Sequence, residues 1–104
     1  MKFLCLAYSD ESTWNALPRS TQEALWARDD LLRSRGDLVA EVRAPVTVRF
    51  ANGQAHAVDG PFGQSPLPLA GFYVLEARDL DEAVALLSQT PCAHAGAYEL
   101  RPLA

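Results

Sequence analysis

Two segments of this chain, Lys2 to Tyr8 and Gly71 to Ala77, are β-rich and apolar on both sides. Successive side chains of a strand point to opposite faces of a sheet. Apolar side chains nevertheless fill consecutive positions: in the first segment Phe3, Cys5 and Ala7 alternate with Leu4, Leu6 and Tyr8, and in the second Phe72 and Val74 alternate with Tyr73 and Leu75. A sheet built from these strands therefore has two apolar faces, and helices that cover one of them leave the other to be covered by something else.

A first helix is predicted over Thr21 to Arg35. Ser20 followed by Glu23 is a capping-box pattern, and Gly36 stands where a left-handed residue ends many helices. The predicted inward stripe is apolar and consists of Ala24, Leu25, Ala27, Leu31 and Leu32. Asp29 and the other charged residues of this helix are expected to face solvent.

A hairpin is predicted around Asn52-Gly53, the residue pair that most favours a two-residue turn. Its strands are Val46 to Phe50 and Gln54 to Val58. With that turn, the facing pairs are Phe50 with Ala55, Val48 with Ala57, and Arg49 with His56. The stretches Glu11 to Arg19 and Gly63 to Ala70 contain prolines and are predicted as loops, the first with at most a short helical turn.

A short extended stretch, Leu38 to Val42, follows the first helix. A second helix is predicted over Leu80 to Thr90, capped by Asp79 or Asp81 and ended by Pro91. Its inward residues are expected to be Leu80, Ala83, Val84, Leu86 and Leu87. After a turn of small residues, Ala97 to Arg101 alternates as a last strand.

This order of elements predicts an α+β chain, a ferredoxin-like βαββαβ domain with an inserted hairpin. The 104 residues suit one domain, residues 1–104. Each large apolar side chain left in water forgoes about 1.5–3 kcal/mol of stabilisation, so a second copy stacked sheet on sheet is the simplest cover for the second face. The alternative is that the segment Asp37 to Ala70 folds over that face within one chain.

The net charge, the hydropathy and the cysteine content indicate which partners and which cellular compartment to expect. The formal net charge is -4, so no positive field attracts a nucleic-acid backbone. No apolar run approaches the roughly 20 residues that span a bilayer, so no membrane partner is expected. Cys5 and Cys92 lie in different elements without metal-ligand spacing, which favours reduced thiols in a cytoplasmic protein. No cofactor and no metal site is predicted.

Several motifs in the second half of the chain resemble the DGPF branch of the YCII-related family. They are VDGPF at Val58 to Phe62, AGFYVLEARDLDEA at Ala70 to Ala83, the Pro91 to Gly96 turn and ELRPL at Glu99 to Leu103, and the opening MKFLCLAYSDE fits as well. The resemblance implies a ferredoxin-like subunit that assembles into a dimeric α+β barrel. This agrees with the two-faced strands.

The resemblance also implies small-molecule chemistry of the lyase or dehydrochlorinase type that relies on a His and Asp pair. The chain departs from that pattern because its first helix, TQEALWARDDLLRSR, contains no histidine and lacks the family's Arg-Pro-x-His element. The loop from Gly63 to Leu69 also replaces the Lys- and Glu-bearing loop of the family. The dyad therefore does not carry over to this chain.

Asp59 is the leading candidate for a catalytic residue. It lies where a strand leaves into a Gly-Pro turn, and half-burial against Phe62 and Tyr73 raises a carboxyl pKa toward the range of a general base. The structural alternative is that Asp59 accepts hydrogen bonds from backbone N–H groups of the turn. His94, in the turn after the second helix, is a weaker candidate for an acid or base, and His56 is expected on the polar side of the hairpin.

A ligand pocket is predicted around the same turn, lined by Tyr8, Gly60, Pro61, Phe62 and Tyr73 with Trp14 and Phe72 nearby. Core packing is the alternative role for each aromatic residue. Two functions remain open. The first is a non-catalytic dimeric module that binds a small apolar or aromatic molecule or serves as an accessory protein. The second is a small cofactor-independent enzyme of the lyase or dehydrochlorinase type, with Asp59 as general base on an apolar or aromatic substrate.

Overall fold

The computed structural model describes residues 1–104 as a mixed α+β fold with antiparallel sheets. The elements in chain order are β1 (Lys2–Ser9), α1 (Glu11–Ala16), α2 (Arg19–Ser34), β2 (Leu38–Glu41), β3 (Val46–Ala51), β4 (Gln54–Asp59), β5 (Leu69–Glu76), α3 (Leu80–Leu87), α4 (Cys92–Ala95) and β6 (Gly96–Pro102). None of these helices combines the length and the apolar character needed to cross a lipid bilayer.

Four strands form the main sheet in the order β2-β5-β1-β6, and every neighbouring pair is antiparallel. β1 lies inside the sheet between β5 and β6. Cys5 faces Tyr73 of β5 on one side and Leu100 of β6 on the other. The two apolar segments identified from the sequence are thus the two central strands.

Helices cover one face of this sheet, and the core lies beneath them. Phe3, Cys5 and Leu75 are almost completely buried there, packed with Leu32 of α2 and Leu87 of α3. The other face, which we call the open face, carries Leu4, Leu6, Tyr8, Phe72 and Val74, all only half-buried. The expected two-faced sheet is therefore present, and nothing in the chain covers its second face completely.

The buried side of α2 differs from the predicted stripe. Gln22, Leu25, Asp29 and Leu32 are buried, at the spacings of three and four residues that keep side chains on one side of a helix. Leu31, predicted to face inward, is 56% exposed, whereas Asp29, predicted to face solvent, is 8% exposed. The prediction was wrong because apolar residues occur on several sides of this helix, and Asp29 finds a buried hydroxyl partner on the sheet.

At the ends of α2, the predicted Gly36 terminator is confirmed and the predicted capping box of Ser20 and Glu23 is wrong. Gly36 has a φ of 99°, and its N–H donates to the Arg33 carbonyl at 2.9 Å, as a left-handed terminator should. The predicted capping box is absent, because α2 begins at Arg19 after Pro18 and has no side-chain cap. Glu23 instead lies 3.1 Å from the Arg19 Nε in an exposed ion pair.

The hairpin of β3 and β4 has the predicted register but stands apart from the main sheet. Phe50 faces Ala55, Val48 faces Ala57 and Arg49 faces His56. Asn52 and Gly53 both have positive φ, 53° and 75°, as a two-residue hairpin turn of this type requires. Nearly every hairpin side chain is exposed, including Phe50 at 77%. The hairpin therefore does not fold over the open face of its own chain.

The remaining elements differ from the predictions mainly at their boundaries. The stretch after β1 contains a full short helix, α1, whose N-terminus is capped by Asp10 through the Ser12 N–H at 3.2 Å. Asp79, and not Asp81, caps α3 by accepting from the Glu82 N–H at 2.9 Å. β5 begins two residues before the predicted Gly71, α3 ends at Leu87 instead of Thr90, and the turn after Pro91 is the short helix α4. Leu80 and Val84, both predicted to face inward, are about half exposed at 53% and 52%.

Candidate functional site

A cleft of about 480 Å³ opens between the helices α1 and α2 and the edge of the main sheet at β2 and β5. Its aromatic lining residues are Trp14, Trp26 and Tyr73, and its charged lining residues are Asp29, Asp30, Arg33 and Glu41. Gly71 and Ala7 are small residues on the sheet side of the cleft. We call this space the Asp29 cleft.

Asp29 is the buried carboxyl group of this cleft. The Tyr73 hydroxyl donates to Asp29 Oδ1 at 2.6 Å, whereas Oδ2 accepts no hydrogen bond from the chain. Burial raises the pKa of Asp29 above its ordinary value, and the negative charges of Asp30 and Glu41 act in the same direction. The Tyr73 hydrogen bond and the positive charge of Arg33 oppose the increase. A carboxyl group with one free oxygen and a raised pKa can bind a polar ligand group or exchange a proton with it.

A chain of hydroxyl groups continues from Asp29 into the core. Thr90 donates to the Leu87 carbonyl at 2.6 Å, so Tyr98 is the donor in the short hydrogen bond that it shares with Thr90. The Tyr98 oxygen lies 3.5 Å from the Tyr73 oxygen. Burial raises the pKa of Tyr98 to about 12 and that of Tyr73 further, so both phenols stay neutral in water near pH 7. These contacts connect α2 through β5 and β6 to the end of α3.

The two tryptophans form the aromatic wall at the mouth of the cleft. Their ring centroids lie 5.4 Å apart at an interplanar angle of 54°. Gln22 fixes α1 against α2, because its buried side chain donates from Nε2 to the Trp14 carbonyl at 2.9 Å. The wall is therefore held by α2, the same helix that carries Asp29.

The DGPF turn lies outside this cleft. Asp59 is exposed at the end of β4, so the expectation that it is half-buried against Phe62 and Tyr73 is wrong. Phe62 is itself 75% exposed and lies under the Arg49 guanidinium at 4.9 Å from its ring centre. The turn braces the base of the hairpin: the Gly60 N–H donates to the Pro45 carbonyl at 3.0 Å, and the Thr47 hydroxyl donates to the Gly60 carbonyl at 2.7 Å.

The other predicted ligand-binding residues do not share one pocket. Tyr8 is half-buried on the open face, whereas Tyr73 is buried on the helix-covered face. Gly60, Pro61 and Phe62 stay with the hairpin. Trp14 and Tyr73 are the two residues of that predicted pocket that line the Asp29 cleft, and Phe72 lies with Tyr8 on the open face.

The two histidines lie outside the Asp29 cleft, whereas Cys92 lines it. His94 is exposed on α4 and His56 is exposed on the hairpin opposite Arg49, as expected for His56. Burial raises the pKa of the Cys5 thiol to about 11 and also raises that of Cys92, so both stay protonated and are weak nucleophiles near pH 7. No three His, Cys, Asp or Glu side chains in residues 1–104 are grouped to hold a metal ion.

Sequence reasoning missed Asp29, the paired hydroxyl groups of Tyr98 and Thr90, and Gln22, which binds the Trp14 carbonyl. One signal was available: Gln22, Leu25, Asp29 and Leu32 follow each other at intervals of three, four and three residues. A helix side defined by those intervals places two polar residues in the core, which requires polar partners on the sheet.

Comparison with known proteins places this fold and sequence in a family. The family model of the YCII-related domain matches residues 1–104. An uncharacterised protein of Rhizobium meliloti (strain 1021) is 32% identical over 116 aligned positions, which cover all of this chain and 93% of that protein. The 5-chloro-2-hydroxyhydroquinone dehydrochlorinase of Burkholderia phenoliruptrix AC1100, solved in complex with 2,5-dihydroxybenzoquinone, has a TM-score of 0.52 and 14% identity over 100% of this chain and 94% of its own. That structure shares the fold. The match to the family model along the entire chain, together with the 32% identical relative, shows that this protein belongs to the YCII-related family.

Proposed function

We propose that this chain is a binding module for a small aromatic or otherwise largely apolar molecule, held in the Asp29 cleft. One observation carries the proposal: a carboxylate oxygen, Asp29 Oδ2, is left without a partner on a nine-tenths buried side chain that lines an aromatic cleft. This oxygen faces the cleft, where a ligand donor can reach it, and a hydrogen bond to a charged group contributes about 1.5–3 kcal/mol. The binding energy of such a ligand comes from the aromatic wall, and its orientation comes from Asp29.

The size and composition of the cleft support this function. Sites for small molecules have volumes of roughly 300–1,000 Å³ and combine aromatic walls with a few placed polar groups. The Asp29 cleft, at about 480 Å³, lies within that range. A structure of the same fold contains the ring compound 2,5-dihydroxybenzoquinone, which is of a size that this cleft accommodates.

A second candidate function is catalysis without a cofactor, of the lyase or dehydrochlorinase type. The observation that favours it is the raised pKa of Asp29 beside the Tyr73 hydroxyl, because a general base works best with a pKa near the working pH. The neighbour of the same fold is a dehydrochlorinase. In a dehydrochlorination, Asp29 takes a proton from the substrate, the electron pair of that bond forms the new double bond, and chloride leaves with the electron pair of the carbon–chlorine bond. Asp59 stays a predicted base at the hairpin, where the DGPF motif places it.

We further propose that two copies assemble through their open faces into a dimeric α+β barrel. The strand order β2-β5-β1-β6 with helices on one face supports a ferredoxin-like subunit. The half-buried Leu4, Leu6, Tyr8, Phe72 and Val74 of the open face supply the apolar surface for the contact. An apolar surface of this extent is typical of an interface between copies.

Binding and turnover separate these proposals. Chlorohydroquinone serves as the probe, with calorimetry for binding and a chloride electrode for turnover. We expect saturable binding that the Asp29→Asn substitution weakens about tenfold or more, as expected for a lost hydrogen bond to a charged group. Asp59→Asn is the matched control, because it removes the same charge from an exposed position, and it should change the affinity less than twofold.

Each possible result has a consequence. Equal affinity of Asp29→Asn and the native protein would remove the cleft as the binding site. Release of chloride that stops in Asp29→Asn and continues in Asp59→Asn would establish the enzyme with Asp29 as base, whereas the reverse pattern would establish Asp59. Binding without any chloride release supports the non-catalytic module for this probe.

A further inference from the structure

The side chains that line the Asp29 cleft carry more negative than positive charge. Four charged side chains line it, three of them carboxylates and one a guanidinium. The guanidinium of Arg33 is already engaged, because its Nη1 lies 2.8 Å from Asp30 Oδ1 in an ion pair. Two carboxyl groups, Asp29 and Glu41, therefore line the cleft without a cationic partner. The cleft thus has an excess of negative charge: Glu41 is exposed, whereas Asp29 is buried, where water screens its charge less than on an open surface.

Asp29 is the carboxylate through which this excess of negative charge acts on a ligand. Its side chain is nine-tenths buried, and Oδ2 has no donor from the chain. A neutral hydroxyl donor satisfies Oδ2 but leaves the charges of Asp29 and Glu41 uncompensated. A cationic donor forms a hydrogen bond with Oδ2 and also compensates the negative charges of Asp29 and Glu41. An anionic ligand group is repelled by both carboxylates.

The aromatic wall favours the same class of ligand. The faces of tryptophan and tyrosine rings carry negative electrostatic potential and attract cations within about 6 Å. The Trp26 ring already binds one in this way, because the Arg19 guanidinium carbon lies 5.3 Å from its centroid. Trp14 and Tyr73 present two further aromatic rings to the cleft beside Asp29.

From these observations we infer that the ligand of the Asp29 cleft is an organic cation, an aromatic or apolar body that carries a protonated amine. The ammonium group donates to Asp29 Oδ2 and lies within the field of Glu41, and the apolar body rests on Trp14 and Trp26. This inference rests on the proposed function, because it specifies the charge of the small molecule that the cleft binds.

Three probes of one shape test the charge directly. Phenethylamine is a cation near pH 7, 2-phenylethanol is its neutral counterpart, and 3-phenylpropionate is an anion of similar length. The chain contains two tryptophans, and both line the cleft, so tryptophan fluorescence reports binding there. We expect phenethylamine to bind at least tenfold more tightly than 2-phenylethanol, and 3-phenylpropionate to bind most weakly.

Variants assign the preference to named carboxylates. Glu41→Gln and Asp29→Asn should each reduce the advantage of phenethylamine over 2-phenylethanol by about fivefold or more, while the affinity for 2-phenylethanol changes less in Glu41→Gln than in Asp29→Asn. Asp81→Asn is the control, because Asp81 is an exposed carboxylate of α3 outside the cleft, and it should leave all three affinities unchanged.

The outcomes distinguish this inference from the proposed function. Equal binding of the amine and the alcohol, or tighter binding of the carboxylate probe, overturns the cationic ligand and leaves the binding function standing. No saturable binding of any of the three probes up to 10 mM, roughly the limit of weak specific sites, overturns both. A preference for the amine that survives Asp29→Asn and Glu41→Gln overturns the assignment to these carboxylates.

Discussion

The Tyr73 hydrogen bond favours the charged form of Asp29, whereas burial disfavours it. The carboxyl group lies beneath α2 with a single internal donor, Tyr73, and burial outweighs that hydrogen bond in setting its pKa. The titratable groups around it are Asp30 and Arg33 on α2, Glu41 on β2, Tyr73 on β5 and Cys92 on α4. Of these, only Arg33 is a cation, and it is paired with Asp30.

The effect of Asp29 on stability should depend on pH in a specific direction. A carboxyl group with a raised pKa in the folded protein binds more protons folded than unfolded, so its contribution to stability is full below its ordinary pKa and is lost as the pH rises through the folded pKa. Asp29→Asn keeps an acceptor for Tyr73 but does not titrate. Within that window, the variant should gain up to about 1.4 kcal/mol of unfolding free energy relative to the native protein for each pH unit.

Urea unfolding of both proteins between pH 3.5 and 8, approximate limits that bracket a raised carboxyl pKa, measures this difference. Above the folded pKa the difference should become constant. A difference that is flat over the whole range would mean that Asp29 titrates as in the unfolded chain. A difference of the opposite slope would mean that its folded pKa is lowered.

The chemistry of individual residues was the part least accessible from the sequence. Asp59 attracted attention because it belongs to a recognisable motif, yet its neighbours in the chain place it on an exposed hairpin. Asp29 belongs to no motif, and its environment is created by Tyr73, which is 44 residues away in sequence. A pKa is set by contacts across the fold, and those contacts cannot be read from a single helix.

At the scale of elements, the start of α3 depends on a single side chain. Asp79 accepts the Glu82 N–H at 2.9 Å, and this hydrogen bond, together with the neighbouring Arg78 guanidinium, lowers the pKa of Asp79. Asp79→Ala should therefore destabilise the protein by about 1 kcal/mol, within the range of about 0.5–2 kcal/mol for lost caps.

Asp81→Ala is the matched control for this prediction, because Asp81 is an exposed carboxylate in the first turn of α3 that makes no capping hydrogen bond. It should change the unfolding free energy by less than about 0.5 kcal/mol. The midpoints of urea unfolding at pH 7 give both values. Equal losses in the two variants would show that charge near the helix end, and not the cap, supports α3.

Elements with strong local signals were predicted well. The Asn52-Gly53 turn set the hairpin register, and Gly36 ended α2, because backbone conformations with positive φ restrict the residues that adopt them. The rotation of α2 about its axis was not predicted correctly. Leu31 and Leu32 are neighbours of equal hydrophobicity, and only packing against β1 and β5 determines which one is buried.

At the scale of the whole molecule, the sequence predicted a second apolar face of the sheet, and the structure leaves this open face without a complete cover. The helices bury Phe3, Cys5 and Leu75 on one side of β1 and β5, and the side chains between them remain half-buried on the other. The hairpin, which could have covered that side, is exposed along almost its full length. In the proposed dimer, a second copy covers this face with the same apolar surface, related by a two-fold axis.

The proposed dimer predicts that a charge on the open face separates the two copies. Phe72→Glu places a carboxylate at the centre of the face, next to Leu6 on β1, and leaving it buried without a partner costs several kcal/mol. A loss of about 3 kcal/mol weakens association roughly a hundredfold.

Leu31→Glu is the control, because Leu31 is an exposed apolar residue on the outside of α2, away from the sheet. Sedimentation at micromolar concentration should give twice the 11.3 kDa chain mass for the native protein and for Leu31→Glu, and a folded particle of the single-chain mass for Phe72→Glu. A native protein that sediments as a stable single chain would rule out the dimer, and a Phe72→Glu variant that stays dimeric would place the interface elsewhere.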